Sequence, residues 1–197
     1  MYASDLPQLC EVVGKELEPE AHIMTAVATF RRGGADFDVR GLWDAIDAER
    51  RARGIRWRRV LEEMAVPGVE HPMSLSTIQN LRRLDTVTCQ HALGMIGWLR
   101  RTPESFVPEF NGRGVPLPLG APERLLRWNM RAFADAVTAQ RQRRGLTWAD
   151  VARELDCSVS QVAGLSRLRY GTSMRLAMRI TRWLDRPAAD FVIAVKP

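Results

Sequence analysis

The chain has 197 residues and 46% hydrophobic content, which fits an ordinary globular protein of one or two domains. No apolar run approaches 18 residues, which excludes a membrane-spanning helix; three scattered cysteines, Cys10, Cys89 and Cys157, exclude a disulfide framework or a zinc site. A net charge of +6 favours an anionic partner such as nucleic acid, although every basic residue but Lys15 and Lys196 is arginine, a bias that a GC-rich genome also produces. The charge is uneven, and residues 133–197 hold 11 basic and 6 acidic groups.

The first twenty residues include Asp5, Glu11, Glu16, Glu18 and Glu20 and lack a basic-then-apolar leader, so a cytoplasmic location is expected. Leu6, Leu9, Val13 and Leu17 give residues 5–18 of an N-terminal extension (1–36) an amphipathic helical spacing; this helix is either a docking element or, with Met24 as a second plausible start, part of a poorly ordered stretch of residues 1–23. Phe37 to Arg53 reads as a helix with Val39, Leu42 and Ile46 inward, closed by Gly54. Residues 56–65 make a second helix, and two prolines and a glycine in 66–73 force a loop. Ser74 to Leu84 and Thr88 to Arg101 make the third and fourth helices. Residues 108–123 are rich in proline and glycine and form a linker. A second set of helices follows from Arg124: one ending at Gly145, then about 147–155, 158–168 and Met174 to Leu184. No convincing strand is visible.

The second set repeats the first. Phe37–Met64 aligns without a gap on Trp128–Leu155 at an offset of 91, with 10 identities in 28 positions, including Arg50/Arg141, Arg53/Arg144, Gly54/Gly145, Trp57/Trp148 and Glu63/Glu154. The third helices align at an offset of 84, and Trp98 and Phe106 match Trp183 and Phe191 at 85. The expected organisation is domain 1 at 37–107, with an extended turn, and domain 2 at 124–197.

The stretch GLTWADVARELDCSVSQVAGLSRLR, Gly145 to Arg169, is where the chemistry concentrates. Thr147 can cap the second helix of its copy, and Ser158 with Gln161 forms the S-x-x-Q capping box of the third. Val151, Leu155, Val162 and Leu165 face inward, and Asp156-Cys157 leaves a two-residue turn that forces a steep crossing. This pattern resembles the helix-turn-helix of the Cro/CI (lambda-repressor-like, XRE) DNA-binding family. It departs from that family at Asp156, where glycine is common, and at Gly164, in mid-helix.

The resemblance implies an all-α fold of two lambda-repressor-like domains of four to five helices each. It also implies that the third helix enters the major groove of double-stranded DNA. The exposed face would then be Val159, Ser160, Ala163, Gly164 and Arg167, with Ser158 and Gln161 at the entrance. Gln and Arg suit bidentate contacts to adenine and guanine. Thr147, Trp148, Arg167 and Arg169 are placed for phosphates. The equivalents in domain 1 are Ser74, Leu75, Ser76, Gln79, Asn80 and Arg83, with seven extra residues in the turn and Arg56 where the other copy has Thr147.

Bland readings compete with these. Gln161 serves the cap as readily as a base, and Arg153, Arg175, Arg179 and Arg182 read as a solvated helix face. The matched tryptophans read as core. His22, His71 and His91 have no metal-ligand spacing, and no nucleophile arrangement or phosphate-binding loop occurs, so no enzyme, metal or cofactor is expected. The expected function is a transcriptional regulator. The rival is a protein-binding regulator, of anti-activator or antitoxin type, that uses one or both domains or the N-terminal extension. A basic face over both third helices would favour the first, and an exposed apolar patch the second.

Overall fold

The computed structural model describes residues 37–66, 73–108, 110, 114–118, 124–165 and 172–196. The chain divides into two units, Met1–Gly34 and Ala35–Pro197, and every described residue belongs to the second. The first, with the amphipathic segment 5–18, lies outside the described residues, as do Arg167 and Arg169.

The second unit is predominantly helical. Its first copy runs α1 (Val39–Ala52), α2 (Trp57–Met64), α3 (Leu75–Leu84), α4 (Cys89–Trp98) and a 3-10 turn at Pro103–Phe106. The second copy runs β1 (Leu125–Trp128), α5 (Met130–Arg143), α6 (Trp148–Glu154), α7 (Val159–Leu165), α8 (Met174–Trp183), a 3-10 turn at Ala188–Phe191 and β2 (Val192–Val195). The expectation of no strand is corrected: β1 and β2 pair antiparallel, from Leu125 opposite Val195 to Trp128 opposite Val192. Four-residue strands are too short to show a period of two against a helical background. The chain from Arg124 therefore opens as a strand, and α5 starts only at Met130.

Capping explains most of the helix starts. The side chains of Asp38, Ser74, Thr88, Asn129 and Ser173 each accept a hydrogen bond from the backbone N–H three residues on. Each satisfies an N–H that the helix itself cannot pair. Gly54 and Gly145 stop α1 and α5 with φ of 62° and 63°, a left-handed closure that strains other residues. The core is built from the inward faces of both copies, with Phe37, Leu42, Ile46, Phe133, Val137, Val151, Leu155 and Phe191 almost wholly buried.

The sequence repeat is also a repeat of contacts. Arg53 lies 5.4 Å over the Trp98 ring and pairs with Glu63 at 2.8 Å, and Trp98 Nε1 donates to Glu63 Oε2 at 3.0 Å. In the second copy Arg144 lies 5.6 Å over Trp183 and pairs with Glu154 at 2.6 Å, and Trp183 Nε1 donates to Glu154 Oε2 at 2.7 Å. Arg50 and Arg141 sit 4.9 and 4.8 Å over Trp57 and Trp148. The N–H groups of Asp38 and Asn129 each donate to the carbonyl of Phe106 or Phe191, at 2.7 Å in both. The matched tryptophans are thus clamped side chains at the core margin, each stacked by an arginine.

The Trp98 indole hydrogen bond, with Arg53 and Arg59 alongside, holds the Glu63 carboxyl below its ordinary value of 4.5. A depressed carboxyl stabilises the fold above its unfolded value and loses that contribution as pH falls through the folded value. We predict that Glu63→Gln lowers the melting temperature at neutral pH and brings it closer to wild type below about pH 4. Thermal melts across pH 3–8 test this, and a constant offset between the two proteins would refute it.

Candidate nucleic-acid interface

The two third helices, α3 and α7, are built alike. Both lie on the first helix of their copy, and both bury the residues at i+3 and i+6 of their first turns, Ile78 and Leu81 or Val162 and Leu165. That leaves overlapping outward positions, with Leu75 and Ser76 matching Val159 and Ser160. On α3 these are Leu75, Ser76 and Gln79, with Asn80 half-buried and Arg83 exposed; on α7 they are Val159, Ser160 and Gln161, with Ala163 and Gly164 half-buried. Leu75 and Val159, at matched positions, are 37% and 46% exposed.

Ser158 and Gln161 form the expected capping box. Ser158 N donates to Gln161 Oε1 at 2.9 Å, and Gln161 N donates to Ser158 Oγ at 3.3 Å. In α3, Ser74 plays the same part alone, accepting from Thr77 N at 3.3 Å. Gln161 Oε1 is thereby committed to the cap, so a two-pronged contact to adenine requires the box to open.

The expected phosphate contacts are placed differently in the two copies. Thr147 caps α6 in a full capping box with Asp150: its N–H and its hydroxyl both donate to Asp150 Oδ2, at 2.9 and 2.6 Å. The Thr147 hydrogen bonds, with Arg153 beside them, hold the Asp150 carboxyl below its ordinary value. Trp148 is half-buried under Arg141. In the first copy the equivalent α2 start has Arg56 at the cap position with no side-chain cap, and no acidic residue in the first turn. Arg56 is exposed and makes no ion pair among the described residues, a candidate that the copy-to-copy alignment marks only as the replacement of Thr147.

The turn between α6 and α7 is braced from below. Asp156 adopts φ of 48°, and Arg179 on α8 donates from one nitrogen to the carbonyls of Leu155 and Asp156, at 3.2 and 2.7 Å. Arg175 pairs with Asp85 at 2.6 Å. The reading of Arg175 and Arg179 as a solvated face is corrected: each is spent on structure, one at the turn and one between the copies. Arg153 pairs with Asp150.

Among the described residues no His, Cys, Asp and Glu group could hold a metal. No helix among the described residues is long and apolar enough to cross a membrane. Burial pushes the Cys89 thiol up to about 12, and burial raises Cys157 despite Arg179 nearby, so neither is an activated nucleophile. No protein-family profile, curated protein or solved structure matches the chain.

A left-handed conformation at Asp156 costs about 1 kcal/mol that glycine does not pay. Its carboxylate is 97% exposed and 3.8 Å from Arg179, so that contact offsets little. Asp156→Gly is expected to raise unfolding free energy by roughly 0.5–1 kcal/mol in urea titration. A loss of stability would show that the Arg179 contact outweighs the backbone strain.

Proposed function

We propose that the chain is a sequence-specific, double-stranded-DNA-binding transcriptional regulator that resembles the Cro/CI helix-turn-helix family. Domains 37–107 and 124–197 each present a third helix to the major groove. The observation that carries this reading is the matched pair α3 and α7. Each is capped at its first turn, held by a duplicated frame, and carries polar or small residues at exposed or half-buried positions. Ser160, Gln161, Ala163 and Gly164 on α7, and Ser76, Gln79 and Asn80 on α3, are short or amide side chains suited to base edges. Arg56 and Arg83, with Trp148, Arg167 and Arg169, supply phosphate contacts. The mechanism is binding alone: basic groups set position and register, and the two helices read the sequence.

One observation favours a second reading. The described part of α7 carries no charge, and it shares with α3 an exposed apolar residue, Val159 or Leu75. Such a face also suits a protein partner. On DNA the same residues would pack against thymine methyl groups. Salt separates the two readings. Neutralising about five phosphates gives log affinity against log salt a slope of roughly −4 to −5, whereas protein docking through an apolar face gives a flat response.

Two substitutions on α7 separate reading from folding. Gln161→Glu keeps the capping box but removes the amide donor and adds negative charge. It is expected to leave the melting temperature unchanged and to weaken selected-site binding about 10- to 100-fold. At Gly164 an added Cβ meets nothing within 4 Å. Gly164→Ala should therefore stabilise the fold by roughly 0.5–1 kcal/mol while blocking close approach to the duplex. A protein that gains stability and keeps full affinity would remove α7 from the DNA interface.

A further inference from the structure

The two copies meet at an isolated antiparallel bridge between Thr88 and Ser173. Cys89 N donates to the Thr172 carbonyl at 3.0 Å, and Met174 N donates to the Val87 carbonyl at 2.8 Å. Cys89 and Met174 are equivalent residues, each the first of its fourth helix, and Val87 and Thr172 are equivalent too. Exchanging the copies maps one bond onto the other. That reciprocity is the mark of an isologous contact, the kind a twofold axis generates. It also has a local cause: the first N–H of a helix has no acceptor inside that helix, and here each copy supplies the acceptor for the other. Val87, Cys89, Thr172 and Met174 are all buried, so the bridge is interior. Around it the copies are held further by Arg175 on Asp85, by Gln90 Nε2 donating to the Leu126 carbonyl at 2.8 Å, and by Ala188 N donating to Glu104 at 2.7 Å.

We propose that the chain is a fused pseudo-dimer fixed about this local twofold axis, and that one chain reads two unlike half-sites in inverted orientation. This rests on the DNA-binding reading and adds to it the geometry of the site. Each third helix lies on the first helix of its own copy, so the pairing at the bridge sets α3 and α7 relative to one another. Two copies on a loose tether would accept half-sites in either relative orientation; a fixed twofold accepts only the inverted one. The axis lies close to α3: Leu84 precedes Thr88 by four residues, at most about 14 Å of chain. The half-sites differ because the helices differ, with Gln79 and Asn80 on one where Ala163 and Gly164 stand on the other. Successive major-groove faces lie about 34 Å apart, so the half-sites are placed about 10 base pairs apart.

The experiment is selection of bound sites from random duplex DNA with the full chain, followed by rearrangement of the selected site. The expected site has two dissimilar halves and takes one chain per duplex. Reversing one half in place should reduce affinity at least tenfold, and inserting five base pairs between the halves should do the same. Equal affinity for the inverted and direct arrangements, or a palindrome taking two chains, would overturn the pseudo-dimer while leaving DNA binding intact. Failure to select any sequence would overturn both. Thr88→Cys with Ser173→Cys then tests whether the described arrangement is the one that binds. The oxidised, cross-linked chain should bind the selected site as tightly as the reduced chain, and loss of binding on oxidation would refute the fixed axis.

Discussion

Each copy of this fold hangs on one indole. Trp183 leaves the end of α8, donates to Glu154 at the end of α6, and lies under Arg144 at the end of α5. Three helix ends meet on one side chain, so the three helices cannot shift independently. The third helix then has little freedom, since its buried face must fill what the others leave. Trp98, Glu63 and Arg53 repeat the arrangement. The charges in each cluster compensate one another: the glutamate accepts from the indole and pairs with the arginine that stacks on the same ring. Removing one member leaves the others half-satisfied at the edge of the core, where that costs more than it does in water.

The second constraint is the one that fuses the copies. A helix start needs acceptors, and side-chain caps supply only some of them. Thr88 and Ser173 cap through their hydroxyls, but the N–H groups of Cys89 and Met174 depend on the opposite copy. Neither α4 nor α8 is therefore complete in one copy alone. The linker of residues 108–123 determines that the two copies share a chain. The bridge fixes backbone to backbone where the two fourth helices begin.

Much of this was legible in the sequence, and the reasons differ by feature. The repeat was visible because the clamp needs Arg, Trp and Glu at fixed spacings, and such residues rarely match by chance. The caps were visible because Ser, Thr, Asp and Asn at a helix start leave a local signature. The strands were not, since Leu125–Trp128 and Val192–Val195 owe their conformation to pairing across about seventy residues, and neither is long enough to alternate. Asp85 with Arg175, and Arg179 with the turn carbonyls, were also hidden. Long-range partners of arginine leave no periodic trace, and both residues read as surface. The left-handed Asp156 was half visible, as the position where the resembled family places glycine.

Charge is where counting residues misleads most. The last third of the chain holds the largest formal excess, which suggests that the second copy binds phosphate more strongly. Within the described residues its arginines are largely occupied: Arg144 on Glu154, Arg153 on Asp150, Arg175 on Asp85, Arg179 on the turn and Arg186 on Asp190. The start of α6 carries the Asp150 carboxylate in the place where an anion would otherwise sit. At the start of α2 the same positions are Arg56 and Arg59, with no side-chain cap on the helix end. Arg59 is drawn to Glu62 and Glu63, but Arg56 makes no ion pair among the described residues. Under the DNA-binding reading, the first copy is thus better built to hold the backbone, and the second, with its tight turn and small-residue helix, to approach the bases. Each copy then meets its own half-site with a different balance of backbone and base contacts, which gives the duplicated frame a reason to have kept unlike surfaces.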